Sequence, residues 1–251
     1  MEQNLQRQKY VAQKKVAMQV EPLPFQAREA INVLRGNIQL SGYDVKTIAV
    51  TSALKHEGKS SVAFRLAQSM AGLEKKTLYL DCDIRNSATL SRYHVEQKVV
   101  GLSEFLCRQA AIQDVLYRTD DEHMDVLFTG AVAPNPSELF SGEVFEKLLR
   151  FLRMKYDYVI VDTPPVNPVI DGVLIAKQCD GTVLVVNSGN SERSQVIRAR
   201  QQLEYAGIKM LGAVLNMSGG NGKYGYGRYG YGYGYGYGKE AEKEKKSQKQ
   251  E

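Results

Sequence analysis

Cysteine is scarce in this chain: Cys82, Cys107 and Cys179 are its three in 251 residues, too few and too scattered for a disulfide framework or a zinc cluster. A reducing cytosol suits such a sequence. No apolar run approaches the roughly 18–20 residues of a membrane span, and the first residues are rich in Gln and Lys where a signal peptide would be apolar. Membrane contact is therefore expected through a partner or through charged ends. No basic stripe runs through the body of the chain, which argues against a nucleic-acid partner. The net charge of +5 sits instead at the termini: residues 1–20 carry four Lys/Arg against one acid, residues 224–251 carry six against four, and the middle is balanced. Basic ends on a neutral body favour weak contact with an anionic surface such as the inner leaflet of a membrane.

What is present supports one well-packed core of roughly 200 residues. Residues 1–24 read as a flexible arm closed by the breaker Pro22-Leu23-Pro24, residues 25–218 as a single catalytic domain, and residues 219–251 as a flexible tail without a core-forming period. Phe25, Ile31, Leu34 and Ile38 give one face of a helix over 26–40. A buried strand follows at 48–50, a helix beginning at Lys59 with Val62, Leu66 and Met70 inward, and a strand at 78–80. Residues 85–123 read as loops and short helices around 102–106 and 112–117, and 126–128 as a strand. One helix after Asn135-Pro136-Ser137 is expected to run to about Met154. Residues 158–161 form an apolar strand covered on both faces, and 182–186 repeat that pattern. A helix over 191–205 stops at Gly207, and 211–215 close the set. Strands alternating with helices of this length predict an α/β fold, a doubly wound and mostly parallel sheet with helices on both faces.

Three motifs carry the chemistry. Gly58, Lys59 and Ser60 fit the end of a Walker A phosphate loop, with Ala53 at its first position: backbone N–H groups at a helix start cradle phosphate, Lys59 reaches the β and γ oxygens, and Ser60 ligates Mg2+. Asp81 and Asp83 leave the C-terminal end of the strand at 78–80, where open α/β sheets bind ligands, followed by Arg85. Two carboxylates so close repel unless a divalent cation or a proton intervenes, so they suit metal ligation and a base for an incoming hydroxyl. Asp162 ends the strand at 158–161 in a Walker B pattern suited to holding Mg2+ through a water. Each has a plainer alternative: an ordinary helix start with an exposed lysine, an acidic loop salt-bridged to Arg85, and a strand-terminating Asp that caps a turn.

Near the C-terminus, Tyr224, Tyr226, Tyr229, Tyr231, Tyr233, Tyr235 and Tyr237 stand in a Gly repeat. Gly alternating with Tyr leaves each phenol free to visit an active site without unfolding anything. A flexible run of about 12 residues spans roughly 20 Å, enough to meet an adjacent subunit. Each phosphate would add about −1.5 to −2 charges, so full modification would reverse the sign of the tail.

Over residues 25–237 these features together resemble the bacterial tyrosine kinases, of the cytosolic type found with capsular or exopolysaccharide operons in Gram-positive bacteria. Ala53 to Ser60 is similar to their Walker A loop, Asp81 to Arg85 to their additional Walker A′ motif, Asp162 to their Walker B, and Tyr224 to Tyr237 to their tyrosine cluster. The resemblance implies a P-loop NTPase-like fold and phosphoryl transfer from ATP to tyrosine with Mg2+. Ala53, Glu57, Gly58, Lys59, Ser60, Ser61 and Arg85 would contact the nucleotide; Ser60, Asp81, Asp83 and Asp162 would serve the metal; and Asp81, narrowly over Asp83, would take the phenolic proton. It also implies a homo-oligomer in which one tail enters a neighbour's site, with Glu29 and Arg35 building the ring; Asn32 stands where that pattern has its middle arginine. Lys55 and His56 likewise stand where Pro and Gly are common in the loop. A transmembrane polysaccharide chain-length regulator would activate the enzyme from its cytosolic tail, a cognate tyrosine phosphatase would oppose it, and the chain would be cytoplasmic, recruited to the inner face of the membrane. The nearest alternative is a ParA/MinD-type ATPase or nucleotide-gated assembly module. That group carries a second lysine where this chain has Leu54, and it leaves the tyrosine tail unexplained.

Overall fold

The computed structural model describes residue 12 and residues 14–217. In chain order, strand β1 (Lys14–Lys15) and helix α1 (Phe25–Leu40) precede β2 (Thr47–Ser52), α2 (Lys59–Ala71) and β3 (Thr77–Asp81). Three short helices, α3 (Thr89–Arg92), α4 (Leu102–Leu106) and α5 (Ile112–Val115), lead to β4 (Tyr117–Arg118) and β5 (Met124–Leu127). Helices α6 (Pro136–Ser141) and α7 (Glu143–Lys155) then precede β6 (Tyr158–Asp162), and α8 (Asp171–Ala176), β7 (Gly181–Asn187), α9 (Arg193–Tyr205) and β8 (Met210–Asn216) follow.

The strands form one sheet in the order β1-β4-β5-β3-β6-β2-β7-β8, parallel at every junction except β4–β5. Alternation along the central strands divides the core between two faces. Leu78 and Leu80 of β3 and Val159 and Val161 of β6 pack with Phe140, Phe145 and Leu152 from α6 and α7. Tyr79 and Ile160 point the other way, with Ile48 and Val50 of β2, onto Ile38 of α1 and Phe64, Leu66 and Met70 of α2. Ala49 and Leu184 pack on Val173, Ala199 and Leu203 from α8 and α9. This is the doubly wound arrangement the alternating pattern predicts.

Four details depart from the sequence expectations. The helix expected after Asn135 is two helices, because Gly142 adopts extended backbone (φ −81°, ψ 155°). Glycine is a weak helix former, and Glu143 and Glu146 in the first turn of α7, with Arg153 and Lys155 in its last, give the second helix a favourable dipole of its own. The second half of the expected arm is docked: Lys14–Lys15 pair with Tyr117–Arg118, Val16 is 1% exposed, and the Gln19 N–H donates to Tyr93 O at 2.9 Å. Ala12 and Val16 supply enough apolar surface to anchor an otherwise polar stretch; the rest of that arm lies outside the described residues, as do Tyr224 to Tyr237. Phe25, expected to face inward, is 67% exposed at the first position of α1. Finally, β1 and α8 are too short, at two and six residues, to have shown a period in the sequence.

Candidate active site

Register places the acids. Asp81 and Asp162 are partners at the ends of adjacent strands β3 and β6, and Val50 of β2 is the partner of Asp162 on the other side. The loop leaving β2 therefore closes over the ends of β3 and β6. At its turn into α2, Gly58 has φ +87°, and a Cβ there would stand 2.1 Å from Asn216 Nδ2, so only glycine fits. Asn216 donates to the Glu57 carbonyl at 3.0 Å, while the Glu57 carboxylate accepts the Leu54 N–H at 2.8 Å and the Ser191 hydroxyl. Glu57, expected among the nucleotide contacts, thus braces the loop from behind, where it is 4% exposed. Ala53 is fully buried and its carbonyl accepts the Asn167 N–H. Leu54, Lys55 and His56 form the exposed crown of the loop, with His56 at φ +63°.

Lys59, the first residue of α2, reaches into the cleft. Its Nζ lies 2.8 Å from Asp83 Oδ2, 3.6 Å from Asp162 Oδ1 and 3.2 Å from Ser60 Oγ. Burial alone would lower its pKa, but Asp162 and Asp83 outweigh that and raise it, so the ammonium stays charged. Asp81 is fully enclosed: the Ser87 and Thr89 hydroxyls each donate to its Oδ2 at 2.5 Å, and the Asp83 N–H donates to its Oδ1 at 3.1 Å. Burial, reinforced by the charge of Asp162, pushes its pKa up to about 6 against the help of those hydroxyls. Asp162 is also raised by burial, with Lys59 opposing. Its Oδ2 accepts the Tyr79 hydroxyl at 3.1 Å, whereas its Oδ1 has no hydrogen-bond partner among the described residues.

One ammonium among three buried carboxylates leaves a site that favours a further cation. Asp162 Oδ1, together with the Ser60 hydroxyl, fits Mg2+, a hard ion that takes oxygen ligands and keeps waters and phosphates around it. Among the described residues no three His, Cys, Asp or Glu side chains form a metal cage of their own, so phosphate oxygens would have to complete such a shell.

The remaining expected contacts are placed elsewhere. Arg85 makes no ion pair with the neighbouring acids. Its Nε lies 2.5 Å from Asp171 Oδ2, and Ser137 Oγ donates to Asp171 Oδ1 at 2.5 Å. Asp171 is fully buried at the start of α8, where the next residue, Gly172, has the Pro164 carbonyl 2.4 Å from where a Cβ would be. This clasp ties the exit of β3, through Arg85, to the exit of β6 and to α6. The Ser61 hydroxyl is turned away from the loop to accept from Arg92. Arg35 donates to Ser69 O and Oγ, both at 2.9 Å, and Glu29 accepts from Asn32 at 3.0 Å, so both expected oligomer residues are engaged along α1 and α2. Sequence reasoning missed Asp171, Ser87, Thr89 and Tyr79; the nearness of the last three to Asp81 was a signal, whereas Asp171, 34 residues from Ser137 and 86 from Arg85, gave none.

A family model described as an AAA domain matches residues 45–190, from the approach to β2 through the start of the β7–α9 connection. The chain is 40% identical over 190 residues to the tyrosine-protein kinase CpsD of Streptococcus pneumoniae serotype 4, covering 76% of this chain and 84% of that one. The chain belongs to the bacterial tyrosine-protein kinases. The tyrosine-protein kinase YwqD of Bacillus subtilis is 34% identical over 206 residues, 81% of this kinase and 86% of the relative. The crystal structure of the chimerical protein CapA2B2 superposes with a TM-score of 0.72 at 34% identity, over 80% of this kinase and 92% of that chain. The shared region of the kinase contains the phosphate loop and the three carboxylate positions described above.

Proposed function

We propose that this kinase transfers the γ-phosphoryl group of ATP to tyrosines of its own C-terminal run, from the active site of one copy to the tail of another. The observation that carries the reading is Lys59, held between Asp83 and Asp162 at the mouth of a glycine-turned loop. Arriving phosphates would draw Lys59 away from Asp83 onto the β and γ oxygens, where its charge stabilises the transferring group. Bound Mg2+, held by Ser60 and Asp162, would supply further neutralisation of the charge that develops on phosphate oxygens. Asp83, released from Lys59, then accepts the phenolic proton as the bond from phosphorus to the tyrosine oxygen forms and the bond to the ADP oxygen breaks. What supports Asp83 over Asp81 is its partner: both are buried, but Asp83 Oδ2 is held by Lys59, which arriving phosphates can draw away. Asp81 accepts three hydrogen bonds from the protein and is fully buried, so we assign it the positioning of the Asp83 turn.

The same reading extends to the setting. Among the described residues no helix is long and apolar enough to cross a membrane, so recruitment to the inner face would come through the cytosolic tail of a transmembrane polysaccharide chain-length regulator, which would also activate the kinase. A cognate phosphatase would reset the tail, and the output would be control of capsular or extracellular polysaccharide synthesis. Transfer between copies is tested by mixing an isotopically heavy Lys59→Met chain with light wild-type chain and MgATP. Phosphotyrosine on the heavy tail is expected; phosphate confined to light chains would overturn the trans arrangement.

A further inference from the structure

Where the segment before α1 crosses α2 there is a second cavity, of about 400 Å3, walled by Leu23, Ser61, Arg65, Arg92, Tyr93 and His94. Two guanidinium groups converge on it, and neither is neutralised. Arg65 donates to the Glu21 backbone carbonyl at 2.5 Å and to the Gln68 amide oxygen at 3.0 Å, and Arg92 donates to the Ser61 hydroxyl. Among the described residues neither forms an ion pair, in contrast to Arg85, Arg150, Arg153 and Arg200. Glu21 is the one acid of the lining, and it is its carbonyl that Arg65 takes.

The wall beside these cations includes one aromatic ring, packed from behind. Tyr93 stacks on Phe64 with ring centroids 4.0 Å apart and an interplanar angle of 25°, and its carbonyl accepts the Gln19 N–H. Ser61 lies two residues beyond Lys59 on α2, so this cavity shares the first turn of the phosphate-binding helix. Two planar forks and an imidazole beside an aromatic and apolar wall match one chemical class above others, an aryl phosphate: the forks bind the dianion bidentately and the wall takes the ring.

We propose that this cavity binds a phosphotyrosine side chain, supplied by the modified C-terminal run of a second copy of this chain. The inference rests on the reading of the tail as phosphoacceptor. Seven tyrosines lie within 224–237, four of them at every second residue from 231 to 237. A phosphotyrosine held here keeps its neighbours in the run beside the cleft, so later transfers on the same tail follow the first more rapidly.

The test is fluorescence anisotropy with dephosphorylated full-length chain, saturated with MgADP so that the catalytic site is filled. The probe is a synthetic peptide of residues 227–237 with phosphate on Tyr231. It should bind at least about tenfold more tightly than the unphosphorylated peptide, and Arg92→Gln or Arg65→Gln should each remove at least about tenfold of that affinity. Arg92→Gln retains a donor for Ser61, so a change in folding does not account for its effect; matching thermal melts check this. Equal binding of both peptides, or no effect of Arg92→Gln, would overturn the proposal. Competition by inorganic phosphate at the same concentration as the peptide would overturn the tyrosyl part. Because the phosphate is placed synthetically, the result does not depend on whether the kinase modifies its own tail.

Discussion

Lys59, Asp81, Asp83 and Asp162 were legible because each lies at a helix start, at a strand end or two residues past one, within a short motif. Their supports were not. Arg85 and Asp171 lie 86 residues apart, and only the sheet register brings them together. The electrostatics at this scale lead to two expectations. Asp81 titrates at about 6 in the folded chain against 3.8 as a free carboxyl. The native state therefore holds that proton more tightly, and the stabilisation it brings is complete below about pH 4 and lost as the pH rises through about 6. Asp81→Asn removes this loss. Without nucleotide, the variant should gain on the order of 1 kcal/mol over wild type at pH 8, the figure being kept small because Oδ1 also gives up its bond from the Asp83 N–H. Urea melts at pH 4 and pH 8 check it, and a gain that grows toward low pH would contradict the sign. Asp171→Asn should cost on the order of 1–2 kcal/mol, since it uncharges the buried end of an ion pair whose Arg85 remains exposed to water, and should lower kcat with little change in the KM for ATP because the Asp83 turn is loosened while the phosphate loop is untouched. Recovery of kcat by Asp171→Glu would support positioning through charge.

At the scale of elements, unbroken apolar runs such as β6 announced themselves as strands covered on both faces, and the order of strand and helix gave the parallel sheet. The break at Gly142 was hidden because the apolar positions on either side of it continue a helical period across a residue whose backbone is extended. The docking of residues 14–16 was hidden for a different reason: two paired residues cannot show a period, and their partner is β4, about a hundred residues away. Val16→Ala should therefore cost about 1 kcal/mol in a urea melt, where a free arm would show none. The phosphate loop offers a sharper test of packing between elements. Gly58→Ala places a methyl 2.1 Å from the Asn216 amide at a positive φ, so it should destabilise by about 1–3 kcal/mol and depress kcat/KM for ATP. Adding Asn216→Ala should recover part of the stability, because it removes the clash and leaves the backbone strain.

For the whole molecule, charge is the coarse property that sequence exposes best. The body is balanced and the excess lies at the ends, with the tyrosine run inside the basic C-terminal end. Full phosphorylation of seven tyrosines would add roughly −10 to −14 charges there. Repulsion between fully modified tails should then outweigh the single phosphotyrosine contact at the Arg65 and Arg92 cavity and loosen an oligomer, and sedimentation velocity should show smaller species for fully phosphorylated chain than for dephosphorylated chain at equal concentration; identical profiles would contradict it. The residues expected at the oligomer contact, Glu29 and Arg35, are joined through Asn32 and Ser69 within one chain, a network that composition could not disclose because it depends on how α1 lies on α2. Joint action of the carboxylates and the tyrosine run is decided by mass spectrometry of the C-terminal peptide after incubation of purified chain with MgATP. Wild type should carry phosphate on tyrosines within 224–237, and Lys59→Met of unchanged far-UV circular dichroism should carry none. Phosphotyrosine retained by Lys59→Met, or ATP hydrolysed by wild type with no phosphotyrosine formed, would contradict it.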